Sequence, residues 1–190
     1  MHPDDLKEYR RKHVPVFNDN KMKLGIFGQN CSYGCTITHA ESTFEPTYKH
    51  NVLISQQADY LGFELLVPVG RWKGFGGTTD FNGDCMETYT WATAMATQTK
   101  NIMLFSTSHA PTVHPLVAAK QGATIDHISE GRWGLNIVCG WFSPEMEMFA
   151  AKQMEHDERY HYAGEWIHVI KRLWTEQNFD HAGKFFQVKD

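Results

Sequence analysis

Residues 123–145 read Ala-Thr-Ile-Asp-His-Ile-Ser-Glu-Gly-Arg-Trp-Gly-Leu-Asn-Ile-Val-Cys-Gly-Trp-Phe-Ser-Pro-Glu. The segment divides into the end of a helix, a turn at Glu130-Gly131, a short apolar strand from about Trp133 to Val138, and a polar loop. Gly140 and Trp141 end the strand, and Pro144-Glu145 begins a new element. Inside the strand one amide, Asn136, stands among Leu135, Ile137 and Val138. A polar side chain in a buried strand must be hydrogen-bonded to something. Near the C-terminal end of a strand in an α/β protein that partner is often a ligand. Neighbouring backbone is the other partner the segment allows.

Outward from this stretch the same pattern repeats. Lys23–Phe27 reads as the first strand, followed by a loop from Gly28 to Pro46 rich in Gly, Ser, Thr and Cys. A loop of that length in a compact domain is usually functional. Thr47–Leu61 suits a helix that Gly62 closes. Phe63–Val69 is the second strand, with Pro68 marking the end of regular pairing. A second polar loop spans 70–85, and Met86–Thr97 is helical, with Trp91, Ala94 and Met95 at packing spacing. Ile102–Phe105 is the third strand, and Ser106-Thr107-Ser108-His109 lies just past it. His114–Ile128 forms a helix opened by Pro115, and Glu158–Thr175 forms another. Phe179–Val188, centred on Ala182-Gly183-Lys184, reads as a small hairpin. Residues 1–20 read as a polar N-terminal arm with one helical turn, and residues 21–190 as the folded body.

Four strand–helix repeats imply a parallel sheet with helical crossovers. The long loops follow strands one, two and four, so they gather at the strands' C-terminal ends, where a barrel or an open doubly wound sheet both place their chemistry. The first strand lacks a G-x-G-x-x-G turn, which disfavours a dinucleotide-binding open sheet and leaves the barrel. A complete barrel takes about 250 residues; four units make half of one.

Of the 190 residues 42% are hydrophobic, enough for one core, and the net charge is −4. With a pI of about 6.2 and no Lys/Arg-rich run, nucleic acid and anionic membranes are poor partners. The charged start has no apolar signal region, and no apolar run approaches the roughly 18 residues of a membrane span. A cytoplasmic protein is expected. The cysteines, Cys31, Cys35, Cys85 and Cys139, are scattered, so reduced thiols are expected rather than a disulfide or a metal site. A zinc hydrolase is disfavoured because no H-x-H pair follows the first strand, despite 11 histidines.

These landmarks carry a resemblance. The run Arg71-Trp72-Lys73-Gly74-Phe75-Gly76-Gly77 with Glu87, then Ile125-Asp126-His127, Gly131-Arg132 and Asn136-Ile137-Val138-Cys139-Gly140-Trp141, resembles the bacterial luciferase-like flavin-dependent monooxygenases. So do His156-Asp157-Glu158-Arg159-Tyr160 and Leu173-Trp174-Thr175-Glu176-Gln177-Asn178-Phe179. The likeness runs from about Met22 to Asp190 and is strongest to the group of pyrimidine and dimethyl sulfone monooxygenases. It implies a (β/α)8 TIM barrel, of which the chain covers about the first four βα units. It also implies reduced FMN (FMNH2) at the strands' C-terminal ends, with contacts at Gly70, Arg71, Asn136, Glu145, Arg159 and Tyr160. Reduced flavin would come from a separate NAD(P)H-dependent flavin reductase. O2 would be the co-substrate, and one oxygen atom would pass to a small organic molecule through a flavin (hydro)peroxide.

His39, in a Thr38-His39-Ala40 tripeptide, and Thr107 are the catalytic candidates, with Trp141 as a pocket wall and no metal. Where alkanesulfonate members carry a cysteine near the end of strand two, this chain has Val67-Pro68-Val69, which disfavours that substrate. The remaining half of the barrel is expected from a longer chain, from another chain or from self-association into a homo-oligomer. A non-catalytic flavin-binding half-barrel and a deazaflavin-dependent oxidoreductase are the competing functions.

Overall fold

A computed structural model of the chain describes residues 3–42 and 44–190. Met1 and His2 of the expected arm, and Thr43 of the first long loop, lie outside the described residues. The elements in order are α1 (Pro3–His13), β1 (Gly25–Phe27), α2 (Tyr48–Tyr60), β2 (Leu65–Val67), α3 (Thr88–Gln98), β3 (Met103–His109) and α4 (Pro115–Ile128). They continue with β4 (Trp133–Val138), α5 (Ser143–Met148), α6 (His156–Thr175), β5 (His181–Ala182) and β6 (Gln187–Val188). Short 3-10 turns occupy Pro15–Phe17 and Ala110–Thr112. No described helix is long and apolar enough to cross a membrane.

The strands order β1-β2-β3-β4 in one sheet. β1 pairs with β2 and β2 with β3 in parallel, with Ile26 opposite Leu66 and Leu66 opposite Leu104. The Leu104 N–H donates to Arg132 O at 2.8 Å and ties the base of β4 to β3. Helices start where side chains take up their free N–H groups. Thr47 Oγ1 accepts from His50 N at the head of α2, and the Glu87 carboxylate accepts from Tyr89 and Thr90 at the head of α3.

The chain divides into two compact units, Met1–Thr107 with Ile125–Asn136, and Ser108–Thr124 with Ile137–Asp190. In the first unit Leu66, Leu104, Ile102, Met95 and Ala92 are fully buried. The alternation of strand side chains is sharp here. A methyl at Gly134 would meet Phe105 Cε1 at 2.7 Å and Met103 Cε at 2.8 Å, so the side chains on that face of β3 lean over Gly134 of its neighbour β4. On the opposite face Trp133 Nε1 donates to Ser106 Oγ at 3.0 Å, beside the ring of Tyr89 on α3.

Polar clamps fix the starts of the strands. The Asp59 carboxylate accepts three successive backbone N–H groups, from Lys100, Asn101 and Ile102, at 2.7, 3.0 and 2.7 Å. Glu64 takes the Leu24 N–H and the Asn20 amide, both at 2.7 Å, and these bonds hold its carboxyl below the usual carboxylate range. The buried Arg132 guanidinium donates to Ala96 O, Thr99 O, Thr99 Oγ1 and Ile102 O, at the end of α3 where carbonyls lack helical partners.

In the second unit Trp166, Val169 and Ile170 of α6 are fully buried. From α6, Trp166 and Trp174 donate to Val113 O, just before α4, and to Ala119 O within α4. The β5–β6 hairpin pairs His181 with Val188. It is held to α6 by Glu165, whose carboxylate accepts from the Phe185 and Phe186 N–H groups and contacts His181 Nε2 at 3.1 Å.

The expected elements are all present, with differences. The N-terminal segment forms a three-turn helix rather than one turn, with acids Asp4 and Asp5 at its start and bases at its end, the arrangement the helix dipole favours. β3 runs on through Ser106, Thr107, Ser108 and His109; Ser106 Oγ donates to Thr88 O and accepts from Trp133 Nε1, and Thr107 Oγ1 donates to Pro68 O. α5 is a six-residue helix beginning beside Pro144. The expectation of reduced thiols is corrected at two positions. Cys31 and Cys85, 54 residues apart, form a disulfide. The loops after β1 and β2 run antiparallel there, joined by Ser32 N to Asp84 O at 2.7 Å and Met86 N to Asn30 O at 3.0 Å, which brings the two cysteines face to face. Cys35 and Cys139 are free.

Candidate functional site

In the first unit three of the sequence-predicted residues meet. Asn136 Nδ2 donates to Thr107 Oγ1 at 3.1 Å, and Thr107 Oγ1 donates in turn to Pro68 O. This chain of bonds crosses β4, β3 and the end of β2. Gly70 lies against it: a methyl there would stand 2.9 Å from Thr107 Cγ2 and 3.2 Å from Thr107 O, so no side chain fits. Thr107 is held from behind by Thr88 Oγ1, which donates to its carbonyl at 2.7 Å. The residue before Gly70 is fixed by Asn30, whose Oδ1 accepts from Val69 N and whose Nδ2 donates to Val69 O, both at 2.8 Å.

Since the single Thr107 hydroxyl proton points at Pro68 O, the residue orients Asn136 rather than offering a proton. The Asn136 amide keeps its oxygen and one N–H beyond this bond, the mixed donor–acceptor edge an amide can present to a ring. Arg71 stacks its guanidinium 4.5 Å above the Phe75 ring. His39 is exposed and pairs with Thr78 Oγ1 at 2.9 Å, which links the loops after β1 and β2. Beneath the first of these loops a cavity of about 440 Å³ is lined by Ile26, Phe27, Gln29, Tyr33, Cys35 and Phe44 among others. Burial pushes the Cys35 thiol up from its ordinary value.

In the second unit the groups converge on Gly140. Its carbonyl accepts from Arg159 Nη1 and Gln153 Nε2, each at 3.0 Å. Arg159 Nε and Gln153 Oε1 are buried and have no hydrogen-bond partner among the described residues. Gly140 has φ +75°, and a methyl on it would meet Met146 Sδ and Pro111 Cγ at 3.0 Å. Glu145, next to Met146, is 1% exposed, and its Oε2 faces His109 Nε2 at 3.9 Å. The neighbouring Cys139 thiol is raised by burial, with Arg159 opposing. Trp141 and Tyr160 are largely exposed, their rings beside Phe142 and His156 respectively.

The structure thus groups Gly70, Thr107 and Asn136 in one unit, and places Glu145 and Arg159 around the Gly140 turn in the other. His109 and Gln153 belong with the latter set although the sequence reading gave them no role. The signal available was a histidine closing a polar run at the C-terminal end of an apolar strand.

Parallel strands each followed by a helix, with polar side chains gathered at the strands' C-terminal ends, define the first four βα units of a barrel-type α/β protein. The sequence model of the family described as luciferase-like monooxygenase matches residues 22–190, and the chain belongs to that family. Among curated relatives, pyrimidine monooxygenase RutA of Serratia proteamaculans (strain 568) is 33% identical over 171 residues, covering 89% of this chain and 47% of the relative. The chain spans about half the length of the curated relatives it matches. Among solved structures, long-chain alkane monooxygenase LadA matches with TM-score 0.77 at 20% identity, over 91% of this chain and 48% of its own. The oxygenating constituent of 3,6-diketocamphane monooxygenase from Pseudomonas putida, in complex with FMN, matches with TM-score 0.69 at 19% identity, over 88% and 43%. These structural likenesses establish the fold and confirm the barrel expectation.

Proposed function

We propose that the chain carries flavin-binding machinery of a two-component, FMN-dependent monooxygenase acting on a small organic substrate. The observation that carries this reading is the Asn136–Thr107–Pro68 hydrogen-bond chain beside a glycine with no room for a side chain. It presents an aligned amide next to bare backbone at the strand ends. The residues fit the cofactor on two further counts. Arg159 keeps a buried donor with no hydrogen-bond partner among the described residues at the start of α6, suited to an anion, and the donor set is rich in amide and guanidinium N–H groups rather than metal ligands.

Reduced FMN, when bound, supplies the electrons that activate O2. The protein's part is to bind, orient and exclude water. Asn136 would face the edge of the pyrimidine-like ring, with Thr107 keeping its amide from turning, and Gly70 and Arg71 would line the approach. Arg159 and Tyr160 would hold the phosphate, and Glu145 would accept from ribityl hydroxyls. His39 is the candidate for proton transfer and Trp141 a wall of the substrate pocket. A separate NAD(P)H-dependent reductase supplies the reduced flavin. The relatives named pyrimidine monooxygenase make pyrimidines the first substrates to screen.

The test is FMN titration of the wild-type protein and of Asn136→Ala and Arg71→Ala, followed by O2 consumption with reductase-supplied FMNH2. Loss of one aligned hydrogen bond corresponds to about 1–2 kcal/mol, or roughly 5–30-fold weaker binding. Unchanged affinity in both variants would remove the assignments.

A further inference from the structure

We propose that Gln153 is the positioning residue for Arg159: it holds the Gly140 carbonyl against which the guanidinium is set to meet an anionic group. The inference rests on the reading of Arg159 as a holder of the flavin phosphate. The Gly140 carbonyl accepts from Gln153 Nε2 and from Arg159 Nη1, each at 3.0 Å. A carbonyl oxygen has two lone pairs, so these two donors fill it. Because that oxygen can only accept, the Gln153 amide is turned with its nitrogen toward Gly140. A guanidinium carries its N–H groups in one rigid plane. With Nη1 engaged, the edge formed by Nε and Nη2 is the fork that can meet two oxygens of a phosphate together. Nε of that fork is buried and has no hydrogen-bond partner among the described residues.

A plane held at one corner still swings about that corner, so the direction of the accepting oxygen sets where the fork points. The turn alone does not fix that direction. Gly140 has φ +75°, and a methyl on it would meet Pro111 Cγ and Met146 Sδ at 3.0 Å each. Those neighbours confine its Cα through apolar contact and leave the tilt of its carbonyl to hydrogen bonds. Gln153 supplies one of them from the stretch between α5 and α6, which Ala151 N ties to α5 by donating to Met146 O at 3.0 Å. Arg159 supplies the other from the first turn of α6, its own N–H bonded to Glu155 O at 3.0 Å. The two side chains thus reach one oxygen from differently anchored backbone. Without the Gln153 N–H, the peptide that aims Arg159 is held by Arg159 itself and is free to turn with it.

The test is titration of the wild-type protein, Arg159→Ala, Gln153→Met and the double variant with FMN and with riboflavin, the same flavin without its phosphate. Methionine keeps the length of the side chain and removes the N–H. Gln153→Met is expected to weaken FMN about tenfold, equivalent to about 1.4 kcal/mol, and riboflavin less than about twofold. In the Arg159→Ala background it is expected to change FMN affinity less than about twofold. Equal losses of FMN and riboflavin overturn the proposal, because a side chain that merely supports the fold weakens both ligands alike. An unchanged FMN affinity, or an undiminished loss in the Arg159→Ala background, overturns it too. Gln153→Asn keeps the amide but is one methylene short of Gly140 O; it is expected to show the same selective loss and decides the matter if methionine prevents folding. The underlying reading has its own control. If Arg159→Ala leaves the FMN-to-riboflavin ratio at its wild-type value, or the wild-type protein binds neither flavin, Arg159 is not the phosphate holder and the proposal falls with it.

Discussion

Replacing Thr107 by valine removes one hydroxyl while keeping shape and β-branching, and the structure fixes what that deletion does. Two hydrogen bonds disappear: the one Thr107 receives from Asn136 and the one it gives to the buried Pro68 carbonyl. Asn136 is half-buried, so water replaces its lost partner at small cost, whereas a buried carbonyl losing a donor costs about 1–3 kcal/mol. The expected destabilisation is about 2 kcal/mol. At about 2–4 °C per kcal/mol for a chain of this size, the melting temperature falls by about 4–8 °C. The functional loss is separate: an Asn136 amide free to rotate binds FMN roughly 5–30-fold more weakly, for about 1–2 kcal/mol of lost alignment. Thr107→Ser is the control. It keeps both bonds and loses only the methyl that lies against Gly70. Differential scanning fluorimetry and FMN titration of the two variants read both quantities. Valine matching wild type in melting and affinity refutes the reasoning; serine as damaging as valine shifts the role from hydroxyl to methyl.

Thiol titration of the denatured, unreduced protein should find two of the four cysteines reactive, Cys35 and Cys139; four reactive thiols would dispose of the Cys31–Cys85 bond. Cys85→Ser should destabilise by up to about 4 kcal/mol, the loop-closure entropy of a 54-residue separation, measured by chemical denaturation. Burial alone would raise the Glu165 carboxyl, but the Phe186 N–H, the His181 ring and the Phe185 N–H outweigh it and hold it below the usual range. A depressed carboxyl contributes stability that is present above its unfolded value, about 4.3, and lost as pH falls through the folded one. Wild type should therefore exceed Glu165→Gln by about 1–2 kcal/mol at pH 7, with the gap closing toward pH 3; a gap that widens in acid contradicts the assignment.

The βα repeat was legible because apolar strands and amphipathic helices have distinct periods, and Gly and Pro mark their ends. The strand Trp133–Val138 carries the boundaries read for it, since Gly131 and Gly140, at φ +85° and +75°, bracket it with turns that favour glycine. β3 was read short because Ser106, Thr107 and Ser108 look like loop residues. The partners of Ser106 and Thr107 come from elements far away in sequence, as with Trp133 donating to Ser106 Oγ and Thr88 donating to Thr107 O. Asn136 illustrates the same limit. The segment left backbone and ligand open as partners, and the structure supplies a third, a threonine hydroxyl 29 residues earlier. The disulfide gave no spacing signal, because its two cysteines meet through loop pairing rather than through a local motif.

The Asp59 clamp has a kinetic consequence. The N–H groups of Lys100, Asn101 and Ile102 end on one carboxylate from α2, and Lys100 and Asn101 lie at the surface. Their exchange with solvent deuterium is set by how often the α2 carboxylate lets go, not by fraying of the loop that carries them. Consecutive amides with a shared exchange rate, released together by Asp59→Asn, would make this loop a local clock for the opening of α2 from the start of β3.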